Sequence, residues 1–445
     1  CWLVDGLPLA LELAASWMDS VPLPEIITEV EQNLDFLETE LINVPKRHRS
    51  MRAIFDASWR RLNQDEQIVL AKLSVFSGGF TLAAAVEVAG ANQRILAHLV
   101  RQSLVILDRG NGRFTMHELL RQYAADRLDG LPGIEINPAI ALQTNHARFF
   151  CLHLRQQETQ LKGGRQQEAM IQLAADLQNI LKAWQWAVDH QEIFLLHEAL
   201  EGLAVFYRQR QSDQEAAMVF HQAAEVLTEN LRTSTENDSV ALHLLAKLLT
   251  QWGCFAPPSK INEILPRIEP SLEQATAGGE DTRYTTAQLL GLKHRQSYTA
   301  GDYATALPQA KAYLAQYETL DDPWGLSQAY FQLGITANKL DMVDQSSAWL
   351  QAGLDVSRKQ QDKFTAAQIL YNLANNAGMK GNFAEDERLT RESLALYKEL
   401  GNEAGVGIVL GMLANTVIAL GRWDEASTMY QESIELCQKY GLSTY

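Results

Sequence analysis

A forty-residue period in the C-terminal part of this 445-residue chain is the feature that most restricts its fold. Gly301-Asp302-Tyr303, Asp341-Met342-Val343, Gly381-Asn382-Phe383 and Gly421-Arg422-Trp423 recur in one register. Leu290, Tyr330, Leu370 and Leu410 keep the same spacing, as do Leu333, Leu373 and Leu413. Leu314, Leu354, Leu394 and Ile434 repeat in the second half of each unit. Ala306, Ser346 and Ala426 repeat as small residues, and Asp386 departs from them. A unit of this length cannot bury its apolar face alone. Stacked helix pairs, each covering the next, satisfy the pattern, so the period predicts an α-solenoid.

The repeats resemble tetratricopeptide repeats, with a unit of about 40 residues in place of 34. A weaker unit is expected around Gln211–Ala216, with Phe220 in the place of Tyr430. A degenerate one is expected over Asp238–Ala275, interrupted by Pro257-Pro258. Upstream the pattern changes. Asn63 with Glu66 three residues on makes a capping box. Short helices follow over Thr81–Val88 and Arg94–Arg101. Two apolar runs, 104–108 and 113–116, flank Arg109-Gly110-Asn111-Gly112, which is a hairpin signal. Helices followed by a small hairpin describe a winged helix. The expected fold class is therefore mainly α: a short helical domain, a winged helix with a β-hairpin, then the solenoid. The expected divisions are 1–45, 46–130, a linker and helical lead-in over 131–200, and the array over 201–445.

The formal charge of −16 argues against general affinity for nucleic acid or anionic membranes. Residues 46–130 invert the balance, with thirteen Lys and Arg against eight Asp and Glu, so an anion contact is expected there. Four scattered cysteines form no metal-binding or disulfide framework, which fits a reducing compartment. No apolar run is long enough to span a membrane, and the N-terminal stretch lacks the basic flank of a signal peptide. A cytoplasmic location follows. No His spacing suits a metal. No Gly-x-x-x-x-Gly-Lys-Ser/Thr loop occurs, so ATP hydrolysis by this chain alone is not expected. The chain starts at Cys1, and it is expected to begin inside a longer protein.

Two stretches carry a more specific resemblance. Gly6-Leu7-Pro8-Leu9-Ala10-Leu11 and Met116-His117-Glu118 are similar to the helical-domain motif and the Met-His-Asp motif of the STAND class of signal-transduction ATPases. Arg47–Arg52 and Phe76–Phe80 also look like the bacterial transcription regulators of that class. The resemblance covers the whole chain in the class's order. It implies a bound ADP or ATP shared with an ATPase core upstream of Cys1, with no metal held by this chain. Pro8, with Gly6 and Leu7 leading into it, would pack on the base or ribose; a plain helix-starting proline is the simpler alternative. His117 would donate to the β-phosphate at a helix N-terminus, against the simpler role of a surface or helix-capping histidine. Glu118 stands where the class often has Asp. The groove of the array would take a protein or small ligand, and the activated form would self-associate. The competing expectation is a DNA-binding winged helix on a repeat scaffold, with Arg109 and Arg113 on phosphates.

Overall fold

The computed structural model describes residues 8–15, 18, 22–32, 51–128, 138–233 and 238–440. Gly6, Leu7, the basic run 46–49 and most of the expected linker lie outside the described residues. The chain divides into two compact units: residues 1–152 with 174–186, and residues 153–173 with 187–445. Among the described residues no helix is long and apolar enough to cross a membrane.

The first unit opens with α1 (Pro8–Ala15) and α2 (Leu23–Gln32). Then come α3 (Met51–Trp59), α4 (Gln64–Leu73), α5 (Leu82–Ala89) and α6 (Gln93–Arg101). The capping box forms as expected. Asn63 Oδ1 accepts from Glu66 N, and the Glu66 carboxylate accepts from Asn63 N, each at 3.0 Å. Strands β1 (Ile106–Asp108) and β2 (Arg113–Thr115) pair antiparallel, with Ile106 opposite Thr115 and Asp108 opposite Arg113. Gly112 takes the left-handed φ of 70° that the tight turn needs. Phe80 exchanges backbone hydrogen bonds with Phe114 and stacks between Phe76 and Phe114, so the loop before α5 is tied to the hairpin. Helix α7 (Glu118–Asp126) follows, its buried Tyr123 donating to Asp56 on α3 at 2.6 Å. Parts of α8 (Pro138–Leu161) and α9 (Gln166–Asp189) complete the unit.

Among the described residues the second unit contains six helix pairs. They are α10 (Ile193–Arg210) with α11 (Asp213–Thr233), α12 (Ser239–Phe255) with α13 (Pro258–Ala277), and α14 (Arg283–Thr299) with α15 (Tyr303–Tyr317). Then follow α16 (Pro323–Lys339) with α17 (Val343–Gln360), α18 (Lys363–Met379) with α19 (Phe383–Leu400), and α20 (Glu403–Ala419) with α21 (Trp423–Lys439). The recurring triplets are the turns inside the pairs. Gly301, Asp341, Gly381 and Gly421 all adopt a left-handed φ, between 57° and 80°. Gln211 does the same at 57° in the weaker unit.

Pro257-Pro258, expected to interrupt the unit over Asp238–Ala275, falls between its two helices, α12 and α13. Pro258 begins α13, where a missing N–H costs nothing. The small residues Ala306, Ser346 and Ala426 are buried where the paired helices approach. Asp386 fits the same place because its carboxylate accepts from Thr390 and Thr416 hydroxyls, each at 3.0 Å. Gly378 opposite leaves it room: a Cβ there would lie 2.8 Å from Asp386 Oδ2. Leu354 and Leu394 are buried, whereas Ile434 in the same register is 44% exposed on the last described helix.

Candidate functional site

The hairpin delivers the chain to the start of α7, and His117 is the residue at that junction. It is the N-cap of α7, half-buried, and its Nδ1 accepts from Leu119 N at 3.1 Å. With Nδ1 used as an acceptor, the ring's own donor is Nε2–H. The simpler role weighed for His117, helix capping, is thus present.

Two cations gather beside this helix start. Arg121, one turn on, is held in bidentate fashion by Glu118, at 2.8 and 2.7 Å, and donates to the Ser74 carbonyl at 3.1 Å. Lys182 of α9 donates to the next carbonyl, Val75, at 2.7 Å. Burial lowers the Lys182 pKa, and the nearby Arg121 charge lowers it further against the opposing Glu118. Glu118 shifts down: burial, the largest influence, raises it, and the Arg121 bond and charge more than offset that. An acidic first-turn residue also suits the helix dipole. The cluster of His117, Arg121 and Lys182 against the one acid Glu118 has the chemistry to hold a phosphate: N–H donors, net positive charge and a helix N-terminus.

The sequence motif pointed to His117 and missed both cations. Arg121 was within the motif's flank, one turn away, and could have been read from spacing. Lys182 lies 65 positions after His117 and carries no local signal. Pro8 opens α1, as the helix-start reading expected. Gly6 and Leu7 fall outside the described residues.

The arginines of the competing reading part ways. Arg109 is exposed at the hairpin tip. Arg113 is turned into the fold. Its guanidinium donates to the carbonyls of Gly79 and Ala175 and pairs with Asp176, leaving the side chain 12% exposed. Asn179 works beside it: fully buried, it accepts from Ser77 N at 2.8 Å and donates to the Gly79 carbonyl at 2.9 Å. The Ser77-Gly78-Gly79 stretch is therefore a clamped loop. Among the described residues no group of three or more His, Cys, Asp or Glu is placed to hold a metal ion.

Comparison with known proteins bears on both units. Residues 365–439 match the tetratricopeptide-repeat family model. A Mycobacterium tuberculosis (strain H37Rv) protein named as an HTH-type transcriptional regulator is 23% identical over 409 residues, covering 89% of this chain and 44% of that one. An uncharacterized protein of the same strain is 30% identical over 139 residues, 29% of this chain and 35% of its own. Among solved structures, a Pyrococcus horikoshii STAND protein with a tetratricopeptide repeat sensor aligns at 14% identity and a TM-score of 0.49, covering 96% of this chain and 65% of that one. The chain spans less than half the length of the curated relatives it matches. It carries a tetratricopeptide-repeat array and is similar, over most of its length, to proteins named as HTH-type transcriptional regulators.

Proposed function

We propose that this chain is the regulatory and sensing part of a STAND-type nucleotide switch acting in transcription, with no catalytic site of its own. Residues 51–128 would act as the winged helix of that switch. The β-phosphate of ADP would sit at the start of α7, and the array would take a protein or small ligand. The base-side contact falls to Pro8, with Gly6 and Leu7, and an ATPase core preceding residue 1 supplies the remaining phosphate contacts. The site is cytoplasmic in this reading.

The observation that carries the proposal is the conjunction at α7. An imidazole caps a helix N-terminus there, with an arginine one turn on and a partly buried lysine beside it. ADP would hold the winged helix closed through His117, and its exchange for ATP, or occupation of the array, would favour an open, self-associating form. A ligand achieves this only through unequal affinity for the two forms.

The test is ADP affinity in the full-length gene product. His117→Asp retains an acceptor for Leu119 N, so α7 keeps its cap. It removes the imidazole donor and adds negative charge beside the phosphate. Affinity is expected to fall at least about tenfold, the worth of roughly one charge-assisted hydrogen bond. Unchanged affinity in this variant would refute the nucleotide contact. The DNA-binding alternative now rests on Arg94, Arg101 and Arg109, all exposed, since Arg113 is occupied. Salt-dependent duplex binding abolished by Arg109→Ala would favour it instead.

A further inference from the structure

The second unit closes on itself. The turn between α8 and α9 meets the turn between α17 and α18. Gln166 Nε2 donates to Asp362 Oδ1 at 2.6 Å, and Gln166 Oε1 accepts from Phe364 N at 3.2 Å. The two side chains that join the ends are 2% and 1% exposed. Gln209 donates to the Leu161 carbonyl at 2.6 Å, and Asn402 donates to the Gln209 carbonyl at 3.1 Å. The helix pairs between are thereby brought round into one turn. Side chains from α8, α10, α12, α14 and the start of α16 then meet on its inner side.

Their polar groups are unequally satisfied. Lys162 pairs with Glu158 at 2.7 Å and lies 4.8 Å from the Trp324 ring centre. Arg295 spends its guanidinium on the Gly253 and Ala256 carbonyls. Arg208 differs from both. Its guanidinium is 5.5 Å from the Trp324 ring centre and 6.0 Å from that of Phe255. Among the described residues no acceptor or carboxylate is bonded to it. Stacking on an aromatic face leaves the in-plane N–H fork of an arginine open to a carboxylate.

Acceptors without donors lie close by. Asp322 caps α16 through Oδ1, which accepts from Gly325 N at 3.0 Å, while its Oδ2 is buried without a partner. Gln288 donates to Glu201 at 3.3 Å, and its Oε1 is buried without a partner too. Asp322 precedes Trp324 by two residues, the ring that both Arg208 and Lys162 approach, and the Lys162 charge also reaches the Asp322 carboxylate. The Tyr313 phenol, raised first by burial, is lowered by Arg208 and raised by Asp322, so both charges reach one ring. Buried polar atoms left unpaired are costly, and a set with one open donor fork and two open acceptors is the complement of a zwitterion.

We propose that this inner face binds an α-amino acid, free or as the C-terminal residue of a short peptide. Its carboxylate sits on Arg208 above Trp324, and its N–H groups donate to Asp322 Oδ2 and Gln288 Oε1. The site rests on the reading of the array as the sensing part, and gives that part a ligand class.

The test is equilibrium dialysis of the full chain against three mixtures: the twenty free amino acids, random pentapeptides with free C-termini, and the same pentapeptides amidated. Uptake is expected from the first or second mixture and not from the third, and which of the two is taken up identifies the source. Arg208→Gln should weaken it at least about tenfold, and Asp322→Asn should weaken it as well. Circular dichroism matching the parent separates lost binding from lost folding. Equal uptake of amidated peptides, or uptake unaffected by Arg208→Gln, overturns the carboxylate site while leaving the array a binding surface. No uptake from any mixture at millimolar concentration overturns the proposal outright. ADP affinity in the same samples reports on the nucleotide switch independently.

Discussion

His146 and His294 are imidazoles that the fold keeps neutral. They are 2% and 1% exposed, and burial pushes both down to about 4. His146 meets Asn179 Oδ1 at 3.2 Å in the first unit, and His294 meets the Thr336 hydroxyl at 2.7 Å in the second. Unfolded, each ring titrates near about 6.5. As pH falls the unfolded chain therefore takes up protons before the folded one. The stability these rings leave intact is full above about 6.5 and is lost as pH falls through about 4, on the order of 3 kcal/mol per ring. Urea denaturation at pH 7 and pH 4.5 should show this loss, and His294→Gln should shrink it for the second unit. A midpoint indifferent to pH over that window would contradict the assignment. The same scale shows what sequence reasoning misses. His117 was found because it sits in a local motif. Lys182 and Asn179 were not, because their partners Val75 and Ser77 are 107 and 102 positions away and only the fold introduces them.

At the scale of elements, the repeat register was legible because the turns at Gly301, Asp341, Gly381 and Gly421 each place a left-handed residue, and most close approaches a small one, at fixed spacing. Departures from the register are compensated locally. Asp386 is matched by Gly378, and Tyr397 by Gly405. A Cβ at Gly405 would lie 2.5 Å from the Tyr397 ring. The preceding unit holds Ser357 and Thr365 at the same two positions, a small residue answering a larger one. Gly405→Thr should therefore cost about 1–3 kcal/mol by overpacking. Adding Tyr397→Ser should recover part of that loss, because the pair is coupled. Additive losses in the double variant would show that the two positions do not compensate. The hairpin and the α4 capping box were equally legible, since turn chemistry and capping are local. Arg113 was not: a charged residue beside a turn reads as solvent-facing, and Asp176, which takes it inward, lies 63 positions on.

Across the whole molecule, periodicity reveals that helix pairs stack but not how far the stack curves. The closure through Gln166 and Asp362, 196 positions apart, follows from the pitch of the array and has no sequence signature. The inner face with Arg208, Trp324 and Asp322 was invisible for the same reason. In the proposed switch the array recognises, and the first unit answers to nucleotide through α7. Hydrogen exchange of the full-length gene product, with and without saturating ADP, tests that division most directly. ADP is expected to slow exchange of the amides from Glu118 to Arg121. Exchange there that is the same with and without ADP, in a protein that demonstrably binds ADP, would contradict it.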